Sequence, residues 1–464
     1  MVSTWYSYRN RRVCSIINVK TLVKITKGVL YGSEDKIFTS FSKDTRTISK
    51  GDVYIGIKGE NYDGNNFYQE AFDKGAIGCI LNETTCINDY QDKTIILVKD
   101  TIKALQDIAK YYLDLKGPKV IAITGSVGKT STKDMIYDVL KQEYSVLKTE
   151  GNYNNHIGLP LTILKLKDEN ILLLEMGMSN KGEISLLSKI AKPDIAIINN
   201  IYPVHIESLG SMENILKAKL EILAGLKENG ILVLNNDNEY LRNFNKKGLT
   251  IRTYGIHTKS DIRPQEVIYK ESSAIIRIDN VQIEIAVPTQ GYVSNALAAY
   301  TIGELFKIKG SNIKKGLENF KLSAERLEVT KIKGITIIND AYNASGASMK
   351  NGLDYLMNIE SNRHIAILGD MWELGEYNRD IHQEVGKYTI EKKIDILIAI
   401  GRNAKYIYDV AKGKIESYYF KTKEDSYEFI NKLIKKGDAL IIKASHGMKF
   451  TELVDKIKEN IYAK

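Results

Sequence analysis

Cysteine is scarce in this chain, and its scarcity bears on two classes at once. The sequence holds three, Cys14, Cys79 and Cys86, an odd and scattered set with no CxxC pair. Neither a disulfide framework nor a structural zinc site is expected from that pattern, and a reducing compartment fits it. Long apolar runs are missing too: none reaches the roughly 18 residues that a membrane-spanning helix needs. The N-terminus is basic at Arg9, Arg11 and Arg12, but the apolar stretch behind it, Val13 to Val19, is broken by Ser15 and Asn18. That is too weak for a secretory leader, and a cytoplasmic protein is expected. Internal repeats, low-complexity segments and blocks of like charge are also absent. The net charge of +9 is carried by dispersed lysines in a chain rich in Lys, Ile and Asn. This disfavours a nucleic-acid surface and suits a small polyanionic substrate.

Proline is missing from both ends. All six prolines lie between Pro118 and Pro288. They divide the chain into three blocks, the number that its 464 residues suggest at about 150 per domain. The first, residues 1–116, mixes short strands (Val53–Ile57, Ile95–Val98) with helices, and closes on an amphipathic helix from Ile102 to Leu115. Residues 1–18 are expected to be a disordered basic extension. Lys116-Gly117-Pro118 reads as a linker. The central block, 117–322, alternates buried strands (Val120–Thr124, Ile171–Leu174, Ile195–Ile198, Ile231–Leu234) with helices, the pattern of a parallel sheet. Between Val267 and Val287 the period falls to two, predicting an antiparallel flap, and a helix begins near Tyr292. From Ser323 the alternation restarts with strands at Ile335–Asn339, Ile365–Leu368, Ile396–Ile400 and Leu440–Lys443. The third block, 323–464, therefore reads as a Rossmann-like, doubly wound domain. The fold class is α/β in three domains.

Chemistry concentrates at strand ends. Thr124-Gly125-Ser126-Val127-Gly128-Lys129-Thr130 stands between a strand and a helix whose face carries Met135, Ile136, Val139 and Leu140. Glycines let backbone N–H groups turn toward phosphate, the helix end adds positive potential, Lys129 adds charge, and Thr130 offers a hydroxyl to Mg²⁺. Ile123 occupies the place of the first glycine of the longer phosphate loop, so this is the short form, TGxxGKT. Glu175 ends the strand Ile171–Leu174 and should project toward the same phosphates, where it would hold Mg²⁺. His205 follows Ile195–Ile198 on the same edge. Lys217 and Lys219 share a predicted helix, and their spacing singles out neither. Asp340 ends the first strand of the third block, where it could meet a ribose or metal-bound phosphate or equally cap a helix. The run Leu368 to Gly375 lacks GxGxxG, which disfavours a hydride enzyme.

With these residues in place the chain resembles the Mur ligases, the ATP-dependent amide ligases of bacterial peptidoglycan synthesis. Within them it is most similar to the branch joining D-alanyl-D-alanine to UDP-N-acetylmuramoyl-tripeptide. The resemblance runs from about Leu22 to the C-terminus. It is carried by Asp44-Thr45-Arg46, Gly51 to Ile55 with Lys58-Gly59-Glu60, the phosphate loop, Gly151-Asn152-Tyr153-Asn154-Asn155 and Glu175-Met176-Gly177. His205, Ala218-Lys219, Asn295-Ala296, Arg326-Leu327-Glu328, Asp340 to Asn343 and Leu368 to Met371 complete the series. The sequence departs from the family at Tyr202, at His156, and at Lys443-Ala444-Ser445-His446, where the family carries a Lys-Gly-Ser-Arg type of run.

The resemblance implies a UDP-substrate site at Thr45 and Arg46, with Asn154 and Asn155 also on the UDP-muramoyl-tripeptide. It places ATP on Gly125, Ser126, Val127, Gly128, Lys129 and Thr130, with Asn295 at the adenine and Arg326 and Asp340 reaching in from the third domain. It implies one or two Mg²⁺ ions, the first on Thr130 and Glu175, the second facing His205 and a carbamoylated Lys219. Lys129, Lys219 and His205 are the expected catalytic residues. It also implies activation of the tripeptide carboxylate as an acyl phosphate, small-molecule partners without nucleic acid or membrane insertion, and a monomer. The alternatives are a sister ligase adding diaminopimelate or lysine and a phosphate-loop ATPase of another role. The sister's proline-containing third-domain motifs have no counterpart here, since no proline follows Pro288.

Overall fold

The structure, a computed structural model, describes residues 17–38, 40–82, 93–322 and 325–463. Cys14, Cys86, Ser323 and the basic residues Arg9, Arg11 and Arg12 lie outside the described residues. Ile17 and Asn18, expected within the extension 1–18, pair instead as a strand antiparallel with Phe38 and Ile37. Asn18 then caps the helix Val19–Thr26 by accepting from Thr21 N–H at 2.9 Å.

The first sheet has five strands in the order Val29–Gly32, Thr94–Leu97, Gly78–Leu81, Asp52–Ile55, Ser40–Ser42; the first pair is antiparallel and the rest parallel. Its central strands are buried on both faces, which is why they read as continuous apolar runs. The helix Thr101–Lys116 follows. Asp100 caps it, accepting from Ile102 and Lys103 N–H at 2.8 and 3.0 Å, and Gly117 ends it in a left-handed turn at φ +62°. This helix packs on the central block as well as on Val19–Thr26. Tyr112 OH donates to the Leu166 carbonyl at 2.6 Å and Gln106 to the His156 carbonyl at 3.1 Å.

The central sheet is parallel, in the order Thr250–Tyr254, Ile231–Asn235, Ile195–Ile198, Lys119–Thr124, Ile171–Glu175, Val146–Lys148. The chain starts in the middle at Lys119–Thr124, builds to one side, then crosses to the other. That reversal leaves a crevice at the carboxyl end of Lys119–Thr124, flanked by Ile171–Glu175 and Ile195–Ile198. Helices Lys129–Leu140 and Gln290–Leu305 cover one face; Gly158–Ile163 and Glu183–Ala191 cover the other. Three antiparallel strands, Glu266–Tyr269, Ala274–Ile278 and Val281–Ile285, form the expected flap.

The third sheet orders Glu328–Ile332, Ile335–Asn339, Asp438–Lys443, Arg363–Gly369, Ile396–Ile400, Glu416–Phe420. Five strands are parallel; the edge strand Glu328–Ile332 is antiparallel. Alternate residues divide between two cores. Ile338, Ala366, Leu368 and Ile441 pack with helix Gly346–Met357 on one face. Ile337, Ile365, Ile367 and Leu440 pack with the helix Phe450–Ala463 on the other. The doubly wound expectation thus gains an antiparallel edge. Glu328–Ile332 and Glu416–Phe420 escaped the strand reading because they are half exposed and carry polar residues.

The helix that carries the phosphate loop is seated by close backbone approach. A Cβ on Gly316, in the helix Gly310–Glu318, would stand 2.6 Å from both the Asp138 carbonyl oxygen and the Val139 Cα. Helix propensity favours alanine there by about 1 kcal/mol, but a backbone clash has no rotamer to relieve it, and overpacking costs about 1–3 kcal/mol. Gly316→Ala is therefore expected to lower the urea unfolding midpoint; a raised midpoint would show that these helices are not in contact at this point.

Candidate active site

The phosphate loop follows Lys119–Thr124 at the crevice. Gly128 holds φ +81° at the start of the helix, and a Cβ there would meet the Asn295 amide oxygen at 3.0 Å. Glycine is needed on both counts. Lys129 folds back so that Nζ donates to the Gly125 carbonyl at 2.9 Å. Burial pushes its ammonium below the ordinary value; Arg326 adds to this and Glu175 opposes it. The neighbouring strand end clamps the loop from below. The Asn200 amide accepts from Val127 N–H at 2.8 Å and donates to the Val127 carbonyl at 2.9 Å. Ser126 Oγ donates to the Tyr202 carbonyl at 3.0 Å and accepts from Tyr202 N–H at 2.9 Å. Spacing gave no role to Asn200, though its place two residues past Ile195–Ile198 is on the right edge.

Glu175 is the hub. It is 3% exposed, and register places it beside Ile123 of the loop's own strand. Thr130 Oγ1 donates to one carboxylate oxygen at 2.9 Å, and the Asn154 side-chain amide donates to the other at 2.9 Å. Its backbone N–H is held by Thr149 Oγ1 at 3.0 Å. Arg326 crosses from the third block to donate to Thr130 Oγ1 at 3.1 Å. The hydroxyl therefore accepts from a cation and passes its own proton toward a carboxylate. Tyr342 stacks under the guanidinium, 4.0 Å from ring centroid to Cζ, which fixes its direction.

The other expected residues divide. Asn295 lies against the loop and is buried. Asp340 is buried as well, but its carboxylate engages Lys443 Nζ at 2.6 Å and accepts from Leu327 N–H at 3.3 Å. Burial raises its pKa, opposed by Lys443. It does not cap a helix; Ser345 caps Gly346–Met357. Asn155 is turned to local use, its side chain accepting from Ile157 and Gly158 N–H at 3.1 and 2.8 Å. Thr45 and Arg46 stand apart in the first block. Thr45 Oγ1 donates to Glu70 at 3.0 Å, and the exposed Arg46 pairs with Asp44 at 2.6 Å.

Lys219 is 2% exposed on the helix Met212–Leu220, whereas Lys217 faces solvent. No carboxylate among the described residues lies within ion-pair distance of Lys219. Burial pushes its amine well below the ordinary lysine value, reinforced by Lys129 and opposed by Glu183. His205 sits at φ +57° before the short helix Ile206–Leu209, and its Nδ1 meets the carboxylate of Glu373. Glu373 is itself left-handed at φ +62°. Two such non-glycine residues cost about 1–2 kcal/mol each, so the surrounding structure must hold them. Ser208 Oγ ties this segment to the Ser179 carbonyl at 2.6 Å, just beyond the Glu175 strand.

A magnesium ion asks for oxygen donors and keeps several waters and substrate phosphates. Thr130 Oγ1 and Glu175 Oε2, side by side at the phosphate loop, fit that demand. No group of three His, Cys, Asp or Glu among the described residues could hold a metal.

A phosphate loop at a parallel-sheet crevice, faced by a buried carboxylate and reached by an arginine from a second α/β block, defines a phosphate-loop nucleotide-binding protein. The chain belongs to the Mur ligase family. Residues 123–303 match the Mur ligase middle domain and residues 325–446 the glutamate ligase domain of Mur ligases. The UDP-N-acetylmuramoyl-tripeptide–D-alanyl-D-alanine ligase of Bacillus subtilis is 39% identical over 95% of this chain and 98% of its own length. The ligase of the same name from Rickettsia prowazekii is 35% identical over 89% and 93%. Among solved structures, MurF from Acinetobacter baumannii superposes with TM-score 0.88 at 25% identity, covering 96% of this chain and 99% of its own. MurF from Thermotoga maritima in complex with ADP gives 0.82 at 29%, covering 91% and 98%.

The loop bearing Glu373 is anchored by a buried neutral histidine. His382 Nε2 accepts from Met371 N–H at 3.0 Å, and Nδ1 faces the Asn378 carbonyl at 2.7 Å. Burial pushes its pKa down, against the upward pull of Asn378 and Asp370. Below about pH 6.5 the unfolded chain binds a proton here that the folded chain does not. The stability this neutral ring provides is complete above that pH and is lost as pH falls toward the folded value. His382→Gln should therefore lose less stability than wild type between pH 7 and pH 5 in denaturant titrations, and an equal loss would contradict a neutral, buried His382.

Proposed function

We propose that the chain is an ATP-dependent, ADP-forming peptide ligase of peptidoglycan precursor synthesis. It joins D-alanyl-D-alanine to UDP-N-acetylmuramoyl-tripeptide. The observation that carries the reading is Arg326 of the third block resting on Thr130, whose hydroxyl already meets Glu175. Phosphate loop, carboxylate and the third block converge at one point, as a reaction needing ATP and two further substrates requires.

A carboxylate is too poor an electrophile for an amine. The tripeptide carboxylate oxygen attacks the γ-phosphorus of ATP, the bond to ADP breaks, and an acyl phosphate forms. The free amine of the dipeptide then attacks the acyl carbon, phosphate leaves, and the amine releases a proton. Lys129 stabilises charge on the transferring phosphoryl group, and Arg326 adds a second cation from the opposite side. Asn295 borders the nucleotide at Gly128. Thr130 and Glu175 would hold Mg²⁺, which would supply charge neutralisation at the phosphates. Closing the third block over the crevice excludes water, which would otherwise consume the acyl phosphate. Thr45 and Arg46 hold the UDP end on the first block. Asn154 turns toward the metal side, because its amide is on Glu175.

Lys219 takes a separate part. Burial and the Lys129 charge favour the neutral amine of Lys219, and a neutral amine can add CO₂, forming an N–C bond and releasing one proton. The carbamate would supply an anionic oxygen donor for a second ion, and His205 would be a further ligand to it. The burial of Lys219 and the exposure of Lys217 favour the former as the modified residue. A cytoplasmic monomer fits this reaction, because precursor synthesis uses cytoplasmic ATP and the residues assigned above all come from one chain.

Lys129→Ala should abolish ADP release with both substrates present while leaving the circular-dichroism spectrum intact; undiminished turnover would reject the phosphate-loop assignment. Lys219→Ala should lose most activity and recover part of it with added short carboxylic acids, and full activity would rule out the carbamate. Mass spectrometry of the wild-type product should show UDP-muramoyl-pentapeptide; a tripeptide product would identify the sister ligase.

A further inference from the structure

The loop after the strand Arg363–Gly369 has no part in the mechanism above, yet it is seated on the middle block. The Glu373 carboxylate lies in ion-pair contact with His205 Nδ1, a buried nitrogen with no other polar partner among the described residues, and the Glu373 carbonyl accepts from Glu207 N–H at 3.2 Å. A Cβ on Gly375 would stand 3.1 Å from the Glu207 Cα, so backbone approaches backbone here. Both members of the histidine–carboxylate pair hold left-handed backbone conformations, and each segment braces the other.

A neutral imidazole has two tautomers, and which nitrogen carries the proton is set by what the other ring nitrogen touches. Without a partner at Nδ1, the proton can sit on Nε2 and block it as a ligand. A carboxylate at Nδ1 selects the Nδ1–H form and fixes the ring plane, as carboxylates behind metal-binding histidines do. Here that carboxylate comes from another block of the chain.

We infer that Glu373 is a positioning residue for His205: by accepting from Nδ1–H it leaves Nε2 unprotonated and free to act as a ligand, and it does so only while the third block is docked. This rests on the reading of His205 as facing the second ion. Docking and a ligand-ready histidine then favour each other, since coupling between two equilibria is reciprocal. The third block thereby controls the state of a middle-block ligand as well as delivering Arg326.

The test uses the full-length protein with ¹⁵N-labelled histidine, ADP and Mg²⁺. The chain has six histidines, and His205→Gln assigns the signal of His205. Long-range ¹H–¹⁵N spectra should show the Nδ1–H tautomer at His205 in the wild type. Glu373→Ala should lose that form and leave the other signals in place. Its kcat should fall about ten- to a hundredfold, while KM for ATP moves less than about threefold. Glu373→Gln, which still accepts a hydrogen bond, should retain the tautomer and most of the rate. Persistence of Nδ1–H in Glu373→Ala, or an unchanged kcat, would overturn the proposal. Wild-type pentapeptide formation is scored separately: its absence would reject the ligase reading, and the tautomer measurement would still decide the role of Glu373.

Discussion

A buried carboxylate at the end of a central strand governs this structure. Taking a carboxylate out of water costs several kcal/mol unless its oxygens are satisfied. Glu175 meets that demand with Thr130 on one oxygen and Asn154 on the other, bonds to charge worth about 1.5–3 kcal/mol each. The two donors come from different connections of the sheet, one the first turn of the phosphate-loop helix, the other the loop before Gly158–Ile163. Satisfying Glu175 therefore fixes where both connections sit, and it leaves two oxygen donors side by side where a triphosphate and its metal would arrive.

The same point draws in the third block. Arg326 donates to the Thr130 hydroxyl and is held flat by Tyr342. Its backbone is positioned through Leu327 N–H on Asp340, which is balanced by Lys443. Lys443 lies in the run that ends at His446, where the family's arginine is missing. His446 Nδ1 instead lies 3.2 Å from the Tyr342 carbonyl, bracing the residue that carries Arg326. Asp340 thus serves the arginine.

The central block was the most legible part of the sequence for a physical reason. Its inner strands are buried on both faces and read as unbroken apolar runs, and each ends at the edge where ligands gather. Edge strands such as Val146–Lys148, Thr250–Tyr254 and Glu416–Phe420 are half exposed and mix polar with apolar residues, so period and hydropathy missed them. Glycines and Lys-Thr announced the phosphate loop because backbone geometry restricts what can stand there. Asn200, Thr149 and Tyr342 act through hydrogen bonds or ring stacking that depend on partners distant in sequence, and nothing in local spacing marks them. Spacing singled out neither Lys217 nor Lys219 and the resemblance pointed to Lys219; in the packing Lys219 is sealed and Lys217 is wet. Of the residues named by resemblance, Asn154 donates to the Glu175 carboxylate and Asn155 accepts at a local helix start.

The account depends on Thr130 and Glu175 forming the cradle of the nucleotide's metal. The most direct measurement is anomalous scattering from crystals grown with Mn²⁺ and a non-hydrolysable ATP analogue. A single strong peak between the β- and γ-phosphates, within direct or one-water reach of Thr130 Oγ and the Glu175 carboxylate, is the predicted result. A manganese peak bound elsewhere, with Glu175 still closed on Asn154 and remote from the phosphates, would contradict it.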